Sequence, residues 1–197
     1  MRTGTDRNPA ARAALLERIG WRVRNALLGE VYATPKPGLV DRRDTGAHRD
    51  MNYETFLAST EAITPYMVHM FVEGMDATAA GHAPEEVFRM IRGTGLEAER
   101  AMYAATDGVN THKGMIFTMG IVLAAAGILY ARREEMSEWP VENEAPHGDD
   151  VPAEALAETA GPAGTETVGG QITVDAILDM ARQMTARSMA EDFRRML

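Results

Sequence analysis

The sequence predicts an all-α protein: a compact helical bundle with a central apolar helix and a long acidic linker before the last helix. Three observations carry this. Apolar residues recur at helical spacing in several separate stretches. One segment is apolar all round, as the centre of a helical bundle requires. No β-alternating run of useful length occurs, and no internal repeat is visible.

The elements follow in order. Residues 10–32 place Leu15, Leu16, Ile19, Val23, Leu27 and Val31 on one face with Arg and Glu between them, and Pro35 and Pro37 end that helix. Residues 33–51 follow neither period and form a charged loop. A second helix is predicted from Asn52, an N-cap type, with Glu54 in its first turn and Phe56, Ile63, Met67 and Met70 on one face. Pro65 is expected to interrupt and kink it, and His69, on the apolar side, reads as a core residue. The third helix starts at Pro84, carries Glu85 and Glu86 in its first turn and Val87, Met90 and Ile91 after them, and is expected to break or bend at Gly93 and Gly95. Residues 114–131 hold no charge, which is near the length of a membrane span, but the segment is rich in Gly and Ala and starts inside a polar loop, so a buried core helix is the reading. The last helix runs from Thr173, with Ile177, Met180 and Met184 as its stripe.

The chain has 197 residues, enough for one domain with a real core. It has no cysteine, which excludes disulfides, zinc–thiolate sites, iron–sulfur clusters and a cysteine nucleophile. Aromatics are 6% and the net charge is −9, which argue against nucleic-acid binding. Residues 137–170 hold eight of the Asp and Glu residues, no Lys or Arg, four prolines and five glycines. Such a stretch cannot offset the entropy of ordering and reads as a linker. The expected organisation is therefore a helical domain at 1–136, the acidic linker at 137–170 and a C-terminal helix at 171–197 that packs back. The N-terminus shows no signal-peptide pattern, so a soluble cytoplasmic protein, not a membrane protein, is expected.

Of the 20 basic residues only two are lysines, Lys36 and Lys113, and both sit in Gly-bearing loops. A chain that uses Arg elsewhere suggests that a compact ammonium matters at these two places. The first loop, TPKPGLVDRRDTGAHRDM (34–51), gathers Asp41, Asp44, Asp50 and His48. Hard oxygen ligands so close suit Mg²⁺; pairing of the aspartates with Arg42, Arg43 and Arg49 is the alternative. The second loop, DGVNTHKG (107–114), runs directly into the apolar helix. Its free N–H groups with His112 and Lys113 share the logic of a phosphate cradle, and a plain helix cap by Thr111 is the alternative.

EVYATPKPGLVDRRDTGAHRDM (30–51) together with GVNTHKGMIFTMGIVLAAAG (108–127) resembles the triphosphoribosyl-dephospho-CoA synthase family, the ATP:dephospho-CoA triphosphoribosyltransferases associated with citrate lyase and malonate decarboxylase. The likeness includes YETFLASTEAITPYM between the motifs, covers about residues 20–131, and extends more faintly to ILDMARQMTARSMAEDF (177–193). The resemblance implies an all-helical enzyme that joins ATP to the 2′-hydroxyl of 3′-dephospho-CoA and releases adenine. Its product becomes the prosthetic group of an acyl carrier protein. It further implies that Lys36, Lys113, Asn110, Thr111 and the helix start at Gly114 hold the triphosphate, with Mg²⁺ on Asp41, Asp44 or Asp50. A carboxylate would stabilise the oxocarbenium-like state, His48, Asp44 or Asp50 would take the hydroxyl proton, and His112 would supply one to adenine.

The chain departs from that family in its acidic stretch and in lacking the C-terminal half expected of members. A homodimer that covers the apolar helix is therefore expected. Two other classes compete: a nucleotide- or partner-binding module without turnover, and an all-α metal-dependent phosphohydrolase.

Overall fold

The computed structural model describes residues 9–134 and 172–196. They form five helices: α1 (Pro9–Tyr32), α2 (Tyr53–Ala79), α3 (Pro84–Ala105), α4 (Lys113–Glu134) and α5 (Val174–Met196). Among the described residues there is no strand. The expected linker at 137–170 and the boundaries on either side of it lie outside the described residues, as do Trp139 and His147.

Local chemistry sets the helix starts. The Asn52 side chain accepts from the Thr55 N–H at 3.0 Å, and the Thr55 hydroxyl takes the Asn52 N–H at 3.2 Å, a reciprocal cap on α2. Pro84 opens α3, and the Glu86 carboxylate accepts the Ala83 N–H at 2.9 Å. The Thr173 hydroxyl accepts the Ala176 N–H at 3.2 Å at the head of α5.

Neither α2 nor α3 is broken where a break was expected. α2 runs through Pro65 without a break. Pro65 and Glu61 both lie on the exposed side, so the carbonyl that loses its helical donor there can turn to water. α3 is continuous through Gly93 and Gly95. Ile91, Thr94 and Ala98 are buried around the two glycines and hold the turn, and Gly95 lies against the Met70 side chain. His69 is exposed rather than in the core, because the buried face of α2 runs through Ile63, Met67, Met70, Phe71 and Gly74. Met90 is also exposed, since α3 buries Val87, Phe88 and Ile91 instead.

The pairing partners fix the topology. Arg12 meets Asp76 and Arg24 meets Glu61, so α1 runs antiparallel to α2. Thr94 bonds Glu73, and Lys113 meets Glu99, so α3 runs antiparallel to both α2 and α4. α2 and α4 are therefore parallel and packed side by side. They approach with backbone in contact: a Cβ on Gly74 would fall on the Ala124 carbonyl, and one on Gly127 on the Phe71 carbonyl. α5 adds Met180 and Met184 to the core formed by Ile63, Met67, Met102 and Ile128.

α4 is long and apolar enough to cross a membrane by length and composition. Here Ile116, Ala124, Ala125, Ile128 and Ala131 are buried in the bundle. Among the described residues it is not covered on every side: Phe117 is 52% and Val122 39% exposed. α2, α3 and α5 pack against its buried side, and among the described residues Phe117 and Val122 stay uncovered.

Candidate active site

The loop at 33–51 leads into α2 and the loop at 106–112 leads into α4. Because α2 and α4 are parallel, both loops lie at the same end of the bundle. They share a small core: Val31, Val40 and Met51 are buried together, with Tyr53, Phe56 and Val109 packed against them. α1 ends there with Glu30, and α3 ends there with Glu99 and Met102. Two motifs some sixty residues apart in the chain thus form one surface, which carries two helix N-termini with their partial positive charge.

The first loop is organised from inside by Asp41, which is buried. Its carboxylate accepts the N–H groups of Arg43 at 2.7 Å, Lys36 at 3.0 Å and Asp44 at 3.1 Å. These three donors, Arg43 foremost, hold the Asp41 carboxyl below the usual carboxylate range. The loop doubles back at Gly38 and Gly46, both at positive φ, and a Cβ on Gly46 would overlap the Gly38 backbone. Arg42 lies over the Tyr32 ring at 5.3 Å and ties the loop to the end of α1.

Asp44 and Asp50 stay exposed. Asp44 accepts the Gly46 N–H at 2.7 Å, and Asp50 lies 3.8 Å from the half-buried His48. Among the described residues no three Asp, Glu or His side chains converge to hold a metal ion. The three aspartates therefore do not fit a preassembled magnesium cage, since Asp41 is committed to backbone N–H groups. The arginine alternative is not realised either: among the described residues no ion pair joins Arg42, Arg43 or Arg49 to these aspartates.

Each lysine faces a glutamate. Lys36 Nζ is 2.7 Å from Glu30 Oε1, with its side chain mostly covered. Lys113 Nζ is 3.1 Å from Glu99 Oε2 and half exposed, and the bond to Glu99 raises its pKa above the usual lysine value. The cap of α4 comes from Asn110 rather than Thr111: the Asn110 side chain accepts the Lys113 N–H at 3.2 Å. Gly114 is exposed, with open space where a Cβ would stand.

Thr111 turns inward instead. Its hydroxyl is 2.7 Å from Ser59 Oγ on α2, and Ser59 Oγ is 2.7 Å from His112 Nδ1. His112 is 5% exposed; its ring meets Phe56 edge-on at 5.0 Å, and its backbone N–H points at Met102 sulfur at 3.2 Å. Burial pushes the imidazole down to about 4, against a smaller opposing pull from the Glu30 carboxylate, so His112 is neutral at pH 7. Its Nε2 has no hydrogen-bond partner among the described residues.

The structure thus brings Lys36, Thr111 and His112 together around Glu30 and Ser59. Asn110, Lys113 and Gly114 lie at the rim where α4 begins, and His48, Asp44 and Asp50 on the exposed part of the first loop. Sequence reasoning missed Ser59, Glu30 and Glu99. Ser59 had a signal, a hydroxyl on the same helical face as Phe56 and Ile63.

The sequence model of the family described as CitG, ATP:dephospho-CoA triphosphoribosyl transferase, matches residues 16–194. A protein of Albidiferax ferrireducens named "Probable 2-(5''-triphosphoribosyl)-3'-dephosphocoenzyme-A synthase" is 47% identical over 131 residues, 66% of this chain and 43% of that protein. A protein of the same name from Vibrio cholerae is 49% identical over 115 residues, 58% of this chain and 36% of its own length. The 2-(5''-triphosphoribosyl)-3'-dephosphocoenzyme-A synthase of Klebsiella pneumoniae is 48% identical over 116 residues, 59% of this chain and 38% of its own. The matched part of the chain spans about two fifths of the length of these relatives. No solved structure matches.

Proposed function

The chain belongs to the ATP:dephospho-CoA triphosphoribosyl transferase family, and we propose that it takes part in that reaction, moving the triphosphoribosyl group of ATP to 3′-dephospho-CoA. The observation that carries this reading is the meeting of the two loops at the end of the bundle where α2 and α4 both begin. In the step, the 2′-hydroxyl oxygen of dephospho-CoA bonds to C1′ of the ATP ribose. The C1′–N9 bond breaks with its electron pair on adenine. The hydroxyl proton leaves to a base, and adenine takes up a proton on release.

The triphosphate survives the reaction and must be held rather than cleaved. In this reading Lys36, on the first loop beside Glu30, and Lys113, at the positive end of α4, hold it, with Asn110 and the open backbone at Gly114 beside Lys113. Each lysine then exchanges a glutamate for phosphate oxygen. In this reading Mg²⁺ would come with the ATP triphosphate, and Asp44 and Asp50, exposed on the first loop, are the carboxylates that would meet it. His48, paired with Asp50, is the base for the 2′-hydroxyl, and a carboxylate of the same loop stabilises the oxocarbenium-like state. His48→Ala should then lower turnover more than ATP affinity; the opposite split makes it a binding residue.

Further parts of the reading are a cytoplasmic setting, a product that becomes the prosthetic group of an acyl carrier protein of citrate lyase or malonate decarboxylase, and a homodimer that covers Phe117 and Val122. A sedimentation experiment that gives only monomer removes the last. The reaction itself is tested by mass spectrometry of the chain with ATP, Mg²⁺ and 3′-dephospho-CoA. Free adenine with the triphosphoribosyl adduct supports transfer. Nucleotide binding without adenine marks a binding module, and phosphate without adenine a phosphohydrolase.

A further inference from the structure

We propose that Ser59 and Thr111 are positioning residues that fix His112 as an Nε2–H donor for a ring nitrogen of adenine. This rests on the reading above and names how the same site recognises the purine.

Two hydrogen-bond senses satisfy the chain from Thr111 through Ser59 to His112. If Thr111 donates to Ser59, the single Ser59 proton goes to Nδ1, and Nε2 carries the hydrogen. If the sense is reversed, Nδ1 carries the hydrogen and Nε2 presents a bare lone pair. The geometry favours the first: the Thr111 hydroxyl donates to Ser59 Oγ, which leaves the Ser59 proton for Nδ1 and the ring hydrogen on Nε2. The ring cannot easily escape the choice, because Phe56 meets it edge-on and Met102 receives the backbone N–H of the same residue.

The result is a buried N–H whose acceptor is not among the described residues. Buried donors are almost always paired, so a ligand is the natural supplier of the acceptor. The surroundings choose the kind. A neutral donor packed against the Phe56 ring and the Met102 thioether brings no charge to an anionic phosphate oxygen. It suits the uncharged ring nitrogen of a purine, and such a bond strengthens as negative charge develops on departing adenine. The role of His112 is then hydrogen-bond donation from a neutral ring, not delivery of a proton from an imidazolium.

The test is ¹⁵N NMR of the labelled full chain at pH 7, with adenine itself as the titrated probe. The wild type should show His112 as the Nε2–H tautomer, and adenine should shift that resonance. Ser59→Ala should release the tautomer and weaken adenine binding by about tenfold. Ser59→Thr should restore both. Circular dichroism checks folding; if Ser59→Ala does not fold, Thr111→Val removes the donor that fixes the direction of the Ser59 hydroxyl and should loosen the tautomer in the same sense. Wild-type His112 in the Nδ1–H form overturns the proposal whatever the variants do. So does a folded Ser59→Ala with unchanged tautomer and adenine affinity. Tautomer-dependent adenine binding without triphosphoribosyl product would sink the transfer reading and leave this one standing. Product formation with a tautomer indifferent to Ser59 would do the reverse.

Discussion

Gly127 and Gly93 offer one substitution with opposite expected signs. Both sit inside helices, so Gly→Ala at either gains about 0.5–1 kcal/mol of helix propensity. At Gly93 nothing lies within 4 Å of the new methyl, and the gain should be realised. At Gly127 the methyl falls on the Phe71 carbonyl and lies 3.1 Å from the Met75 nitrogen. Both neighbours are backbone, which cannot rotate aside, so α2 and α4 must separate. Overpacking of this kind costs about 1–3 kcal/mol. The propensity gain is common to both variants, so their difference isolates the overpacking cost. For a chain of this size, each kcal/mol moves Tm by roughly 2–4 °C. Gly127→Ala should therefore melt about 2–12 °C below Gly93→Ala. The assay is thermal unfolding by circular dichroism, repeated with urea midpoints. If Gly127→Ala melts level with or above Gly93→Ala, the close contact of α2 with α4 is wrong, and the parallel arrangement that brings the two loops together loses its support.

Other consequences can be checked on the same material. Folded His112 titrates near 4 against 6.5 for a free imidazole, so the unfolded chain binds a proton that the folded chain refuses; stability should fall on acidification between those values, by up to about 3 kcal/mol. His112→Gln should flatten that part of the pH profile of the urea midpoint. The depressed Asp41 value works at lower pH: its contribution is present above the ordinary 3.8 and is lost as pH falls through the folded-state value. At neutral pH, Asp41→Asn should speed amide exchange at Lys36, Arg43 and Asp44, and unchanged exchange would mean that Asp41 does not organise the loop. Lys113→Ala should weaken ATP binding by calorimetry several-fold, and more at low salt than at high; unaltered affinity removes Lys113 from the triphosphate site.

What the sequence revealed of this fold was local. Asn52, Pro84 and Thr173 are legible as helix starts because capping chemistry depends on the next three residues alone. Gly93, Gly95 and Pro65 do not break their helices for a related reason: their local cost is real, but α3 and α2 are held by residues far away in the chain. Asn110 and Thr111 show the limit at its finest. Both are good cap types, and only the presence of Ser59, fifty-two residues earlier, decides that Thr111 turns inward and Asn110 takes the cap. The three aspartates read alike in sequence, yet burial separates Asp41 from Asp44 and Asp50.

The same long-range contact that sequence conceals also explains why the candidate site requires this fold. Ser59 belongs to α2, while Thr111 and His112 belong to the entry of α4, and they meet at 2.7 Å. A hydrogen bond of that length is lost if its partners separate by about an ångström. The two helices must therefore keep both spacing and register over their shared length. Side chains interdigitating between ordinary helices would set the axes some 8–10 Å apart and let them slide. Glycine against backbone at Gly74 and Gly127 removes that freedom: carbonyl and Cα fill the space where side chains would adjust. The apolar helix with so many small residues, which by composition resembles a membrane span, is better understood as a rigid strut. Its small side face locks against α2, and the lock is what holds a histidine on one helix entry to a serine on the other.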